Sequence, residues 1–131
     1  LYVQVDPSGE VIEFNSGGCP WREHLFELEK ELQVKPINYV LFPSYDRKSW
    51  MIVCVPARPT GFALRLGLPV AWRGLRDREL STMTGIDSCV FCHANGFCGS
   101  NARKEGALDM VRVALRQPRE ADSQTTSTGD A

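Results

Sequence analysis

The chain has 131 residues, 43% of them hydrophobic and 24% charged, which excludes a disordered polymer and fits one globular domain with its own core. Fifteen basic against sixteen acidic residues leave a formal charge of −1, so any nucleic-acid contact has to come from a local patch and not from bulk charge. No run of about 18 apolar residues is present, so neither a membrane-spanning helix nor a membrane partner is expected.

The sequence starts at Leu1 with no leader ahead of it and reads as an excised piece or a processed chain. Tyr2, Val3 and Val5, then Val11, Ile12 and Phe14, flank Asp6-Pro7-Ser8-Gly9 and predict a first hairpin. Pro20 suits the first position of a helix, and Trp21, Leu25, Leu28 and Leu32 form one apolar stripe along it. Pro36 marks its exit. Asn38 to Phe42 and Ser49 to Val55 read as strands joined by the polar turn Pro43 to Lys48, a second hairpin that Pro56 and Pro59 end. Thr60 to Trp72 shows no clean period and reads as a loop packed on the surface. Asp77 can cap a short helix through Leu80 and Met83, with Gly85 as its stop.

Residues 88 to 93 predict a strand, followed by a turn punctuated by Gly96 and Gly99 and then by the last helix. Asn101 is the expected N-cap, and Leu108, Val111 and Leu115, with Ala107 and Ala114, are the expected buried stripe. Gly106 inside that helix implies close backbone approach to something packed alongside. Pro118 ends it. The fold class is therefore α+β, a mixed sheet with helices packed on it, in one domain over residues 1–116 with a disordered tail over 117–131.

Arg103 and Lys104 fall in the first turn of the last helix, where cations oppose the helix dipole; a bound phosphate would reconcile them. On spacing alone the same stretch reads first as an ordinary strand–turn–helix connection with a solvated basic end. Cys89-x-x-Cys92-His93, with Cys98, has the ligand types of a haem attachment or a zinc site. Strand alternation argues against both, because it places Cys89 and His93 on one face and Cys92 on the other. The five cysteines, an odd number mostly in apolar surroundings, suit reduced thiols of an intracellular protein; Cys19 is the expected reactive one. His24 sits beside an apolar stripe and reads as a packing residue. His93, at a strand end, is either a donor to phosphate or ribose or a side chain tied to the turn. Arg73, Arg76 and Arg78 follow Trp72, a pairing of cations with an aromatic that suits nucleic acid or a solvated surface. No paired carboxylates and no Ser-His-Asp order stand out, so no catalytic centre is expected in this chain.

Three motifs occur in order: Cys19-Pro20-Trp21-Arg22-Glu23-His24-Leu25, Trp72-Arg73-Gly74-Leu75-Arg76-Asp77, and His93-Ala94-Asn95-Gly96-Phe97 with Arg103-Lys104-Glu105-Gly106-Ala107-Leu108. Together they resemble the C-terminal half of the melanocyte-proliferating-gene (MYG) family, relatives of the DHH phosphoesterases. The resemblance implies a DHH-associated domain of a metal-dependent phosphodiesterase, a 3′-to-5′ RNA exonuclease of mitochondrion and nucleus. The divalent metal, Mn or Mg, would belong to an N-terminal catalytic domain outside this chain. This part would bind substrate, single-stranded RNA or a nucleotide, through His93, Gly96, Gly99, Ser100, Asn101, Arg103 and Lys104, extended by Arg73 and Arg76. The alternative is an interaction module that packs on the N-terminal half or forms a homodimer through the Trp21 stripe or the Phe62 to Leu68 segment.

Overall fold

The computed structural model describes residues 2–4, 7–14, 21–32, 36–58 and 63–118. Expectations for Cys19, Pro20, Phe62 and the tail beyond Pro118, and for the side chains of Trp21, His24, Leu28 and Leu32, lie outside the described residues.

Both expected hairpins form. Strands β1 (Tyr2–Gln4) and β2 (Val11–Phe14) pair antiparallel, as do β3 (Tyr39–Pro43) and β4 (Trp50–Cys54). Strands β2 and β3 are parallel, a pairing that needs a crossover, and α1 (Trp21–Leu32) supplies it. After β4 come a 3-10 turn (Val70–Trp72), α2 (Asp77–Thr84), strands β5 (Cys89–Cys92) and β6 (Cys98–Asn101), and α3 (Lys104–Leu115). The sheet order is β1-β2-β3-β4-β6-β5, mixed in direction, so the fold is α+β. No described helix is long and apolar enough to cross a membrane.

Alternation along the strands feeds two cores. Val11, Tyr39, Leu41, Ile52 and Cys54 face α3 and the segment carrying Leu68, Trp72 and Leu80. Ile12, Phe14, Val40, Val53 and Cys98 face the opposite way, toward Leu25 of α1. The stripe of α3 is rotated from the expected one. Ala107, Met110, Val111 and Ala114 are fully buried while Leu108 and Leu115 are only partly so, because the small residues let the helix lie close to the sheet. Gly106 has its expected close neighbour: a Cβ there would overlap the Asn101 side chain. Gly85 ends α2 in a left-handed conformation, as expected, but the residue capping its start is Arg76 and not Asp77.

Three local readings need correction. The segment before Trp72 is not a surface loop throughout: Leu66, Leu68 and Trp72 are buried, spaced too irregularly to show a period. Arg65 ties this segment to α1, its guanidinium bridging both carboxylate oxygens of Glu29 at 2.6 and 2.7 Å and the Ile37 carbonyl at 2.8 Å. Residues 98–101 are not a turn but a strand, paired on both sides. Cys-Gly-Ser-Asn has little strand propensity of its own; the slot between β4 and β5 imposes the conformation, and a Cβ on Gly99 would stand 2.9 Å from the Phe91 carbonyl oxygen. Finally, β5 carries a bulge, with Cys89 opposite Asn101 and Phe91 opposite Ser100, so Cys89 and Cys92 share one core instead of facing apart.

Candidate functional site

The β5–β6 hairpin closes through a four-residue turn, His93 to Gly96. The Gly96 N–H donates to the His93 carbonyl at 2.8 Å, and the His93 N–H donates to the Cys98 carbonyl at 2.9 Å. Gly96 takes φ +72°, a conformation glycine adopts without steric cost. The Asn95 N–H donates to His93 Nδ1 at 3.1 Å, which makes Nδ1 the acceptor and puts the proton of a neutral ring on Nε2. Phe97, 37% exposed, meets the His93 ring edge-on with centroids 4.5 Å apart.

Arg73 lies against the inner side of this turn. Its Nε donates to the Leu68 carbonyl at 3.0 Å, and its side chain fills the space that Cβ atoms on Gly67 and Gly96 would need. Among the described residues its Nη groups have no hydrogen-bond or ion-pair partner. The Gly96 carbonyl accepts from the Leu68 N–H at 2.9 Å and from the Cys54 thiol at 3.3 Å. Burial pushes the Cys54 thiol up to about 12 and the Cys92 thiol up to about 11, with Arg73 opposing the rise at both; burial raises Cys98 as well. These thiols stay protonated near neutral pH and are packing groups, not nucleophiles.

The structure brings together only part of the expected set. Arg73, His93 and Gly96 meet at one end of the sheet. Arg103 and Lys104 stand at the other, beyond the length of β6, about 10 Å at 3.3 Å per residue. One phosphate cannot touch both groups. Between them, Gly99, Ser100 and Asn101 are buried, and their backbone is committed to the sheet. Among the described residues the Ser100 hydroxyl has no hydrogen-bond partner. Asn101 is structural: Oδ1 accepts from the Arg103 N–H and Nδ2 donates to the Asp87 carbonyl, both at 2.9 Å. The residue in the N-cap position of α3 is therefore Arg103, with Asn101 two places earlier. Lys104 is paired with Glu13 at 2.9 Å and lies over the Trp50 ring at 5.4 Å. Arg76 is exposed, and its backbone bridges to Phe91 along the outer edge of β5. Sequence reasoning missed Gly67, Leu68 and Phe97 as parts of the turn site; only Phe97, an aromatic next to the turn glycine, carried a signal.

The family MYG1_exonuc, described as an uncharacterised protein family (UPF0160), matches residues 2–115. The MYG1 exonuclease of Mus musculus is 48% identical over 115 residues, covering 87% of this chain and 30% of the relative. That of Homo sapiens is 46% identical over 114 residues, again covering 87% and 30%. The MYG1 protein of Dictyostelium discoideum is 47% identical over 115 residues, covering 87% of this chain and 34% of its own length. The chain thus spans about a third of these relatives or slightly less. No solved structure matches.

Proposed function

The chain belongs to the MYG1 exonuclease family, and on that premise we propose that it is the substrate-holding, C-terminal part of a metal-dependent 3′-to-5′ RNA exonuclease related to the DHH phosphoesterases. One observation carries the assignment to a site: Arg73 is half-buried at the turn, its Nε tied to the Leu68 carbonyl and both Nη groups without a partner among the described residues. A guanidinium fixed by Nε, with its Nη donors unpartnered among the described residues, is arranged to receive a phosphate. His93 adds an N–H at Nε2 for phosphate or ribose, and Phe97 adds an apolar face for a base.

Among the described residues no group of three His, Cys, Asp or Glu side chains is placed to hold a metal ion. In this proposal the Mn or Mg ligands, and with them the hydrolytic step, belong to the N-terminal half of the longer protein. This chain contributes orientation: it holds the end of the strand so that the scissile phosphate faces the chemistry supplied there. The mitochondrial and nuclear setting is part of the same proposal.

Titrating the chain with uridine monophosphate, and observing backbone amides at low salt, tests the reading. Shifts should centre on Arg73 and His93 to Phe97, and Arg73→Lys, which keeps the charge and loses the fork, should weaken binding about tenfold. Equal affinity in Arg73→Lys and His93→Ala proteins, or shifts confined elsewhere, would sink it in favour of a module that packs on the N-terminal half.

A further inference from the structure

At the opposite end of the sheet, the tip that joins β3 to β4 exposes Tyr45, Asp46, Arg47 and Lys48. Tyr45 is fully exposed. Arg47 sits at φ +60°, where glycine or asparagine would be the less strained choice, and its side chain is exposed. The tip is nevertheless well built. The Ser44 N–H donates to the Ser49 carbonyl at 2.8 Å and the Arg47 N–H to the Ser44 carbonyl at 2.9 Å. The single carboxylate of the tip, Asp46, is exposed, and its Oδ1 accepts from the Ser44 hydroxyl at 2.7 Å and the Lys48 N–H at 3.0 Å. Those bonds, with the charge of nearby Lys48, hold its carboxyl below the usual carboxylate range.

Strand register places this tip beside the start of α3, since Pro43 pairs with Trp50 and Trp50 with Asn101. Arg103 is exposed there and, like Arg47 and Lys48, has no side-chain hydrogen bond or ion pair among the described residues. A chain of net charge −1 thus gathers three exposed cations, with the one carboxylate of Asp46 beside Lys48, and a fully exposed aromatic at one end of its sheet. Cations that follow a phosphate backbone, beside an aromatic on which a base can stack, are the makings of a sequence-tolerant single-strand contact.

We propose that the Tyr45–Lys48 tip and Arg103 form a second contact for single-stranded nucleic acid, engaging nucleotides upstream of the end held at the His93–Gly96 turn. The inference rests on the substrate-holding reading. The ends are separated by the length of β4, about 13 Å at 3.3 Å per residue, so a mononucleotide reaches only one of them while a longer strand reaches both.

The test compares uridine monophosphate with a 12-residue oligouridine on the full 131-residue chain, with a Tyr45→Ala, Arg47→Gly, Arg103→Gln variant. Glycine keeps the positive φ, and circular dichroism with a urea midpoint verifies the fold. The variant should bind the 12-mer at least about tenfold more weakly, with a salt slope shallower by about 1.4 for two lost cations, and the mononucleotide equally well. Tyr45→Phe should restore the stacking part. Unchanged 12-mer affinity and slope overturn the second contact, leave the turn reading standing and assign the tip to a protein surface. Equal losses for both ligands also overturn it. No binding of either ligand to the unaltered chain overturns both readings.

Discussion

Replacing Asn101 by alanine separates a structural role for this residue from a ligand-binding one. The side chain is fully buried and makes two hydrogen bonds at 2.9 Å, from Nδ2 to the Asp87 carbonyl and to Oδ1 from the Arg103 N–H. The first fastens the turn before β5 to β6; the second supports the residue that opens α3. At about 1 kcal/mol net per hydrogen bond, their loss accounts for about 2 kcal/mol. The vacated space faces Gly106, which offers no side chain to fill it, and the residual cavity adds about 1 kcal/mol. The expected destabilisation is about 3 kcal/mol, or a drop of about 10 °C in melting temperature for a domain of this size. Urea unfolding followed by circular dichroism measures it, and RNA titration below the transition measures affinity in the same protein. Asn101→Asp should recover only part of the loss, keeping the acceptor for Arg103 but burying a charge with no donor for Asp87. A loss below about 1 kcal/mol combined with a clear fall in RNA affinity would refute the structural role and return Asn101 to the binding site.

Two further outcomes follow from packing and protonation. Arg65→Ala leaves the Glu29 carboxylate, 10% exposed, with the Ile37 N–H at 2.7 Å but no countercharge, and should cost about 3 kcal/mol by urea unfolding; Arg65→Lys should recover less than half, lacking the fork. A midpoint shift below about 1 kcal/mol would show that the clamp is dispensable. Because burial lifts Cys54 to about 12 and Cys92 to about 11 from an ordinary 9.0, the unfolded chain ionises first. Stability should therefore be complete below pH 9 and fall as pH rises from there toward 12, and Cys54→Ala should flatten the decline. A urea midpoint that does not fall between pH 8.5 and 10.5 (roughly the onset range) would refute the burial of these thiols.

What the sequence reveals depends on where each constraint originates. The β3–β4 hairpin and α1 are visible because their own residues carry the pattern: Val40, Leu41, Ile52 and Val53 belong to two short apolar runs around a polar turn, and the stripe through Leu25 has helical spacing. Strand β6 is not visible, because Cys-Gly-Ser-Asn is shaped by its neighbours: Gly99 fits because Phe91 and Leu68 leave no room, and Asn101 because Gly106 yields space. The bulge in β5 is hidden for the same reason, so simple alternation misplaces Cys89 relative to Cys92. The turn site was legible in His93, Gly96 and Arg73 as separate residues. Their meeting depends on the Leu68 segment folding back onto Gly96, a contact between positions far apart in the chain.

The same distinction resolves the basic residues at the start of α3. Cations in a first helical turn oppose the dipole, and a bound phosphate was one remedy. The protein supplies its own anion: Glu13, two strands away from β4, reaches Lys104 at 2.9 Å, and the Trp50 ring lies beneath the ammonium. Lys104 thereby ties α3 to the sheet, whereas Arg103, one residue earlier, is exposed and has no side-chain partner among the described residues. Two adjacent cations that look equivalent in sequence thus divide their work. A strand gripped at the turn and passing the tip would meet Arg103 and not Lys104. Neutralising Lys104 should therefore register mainly in stability, and neutralising Arg103 mainly in the affinity for long strands.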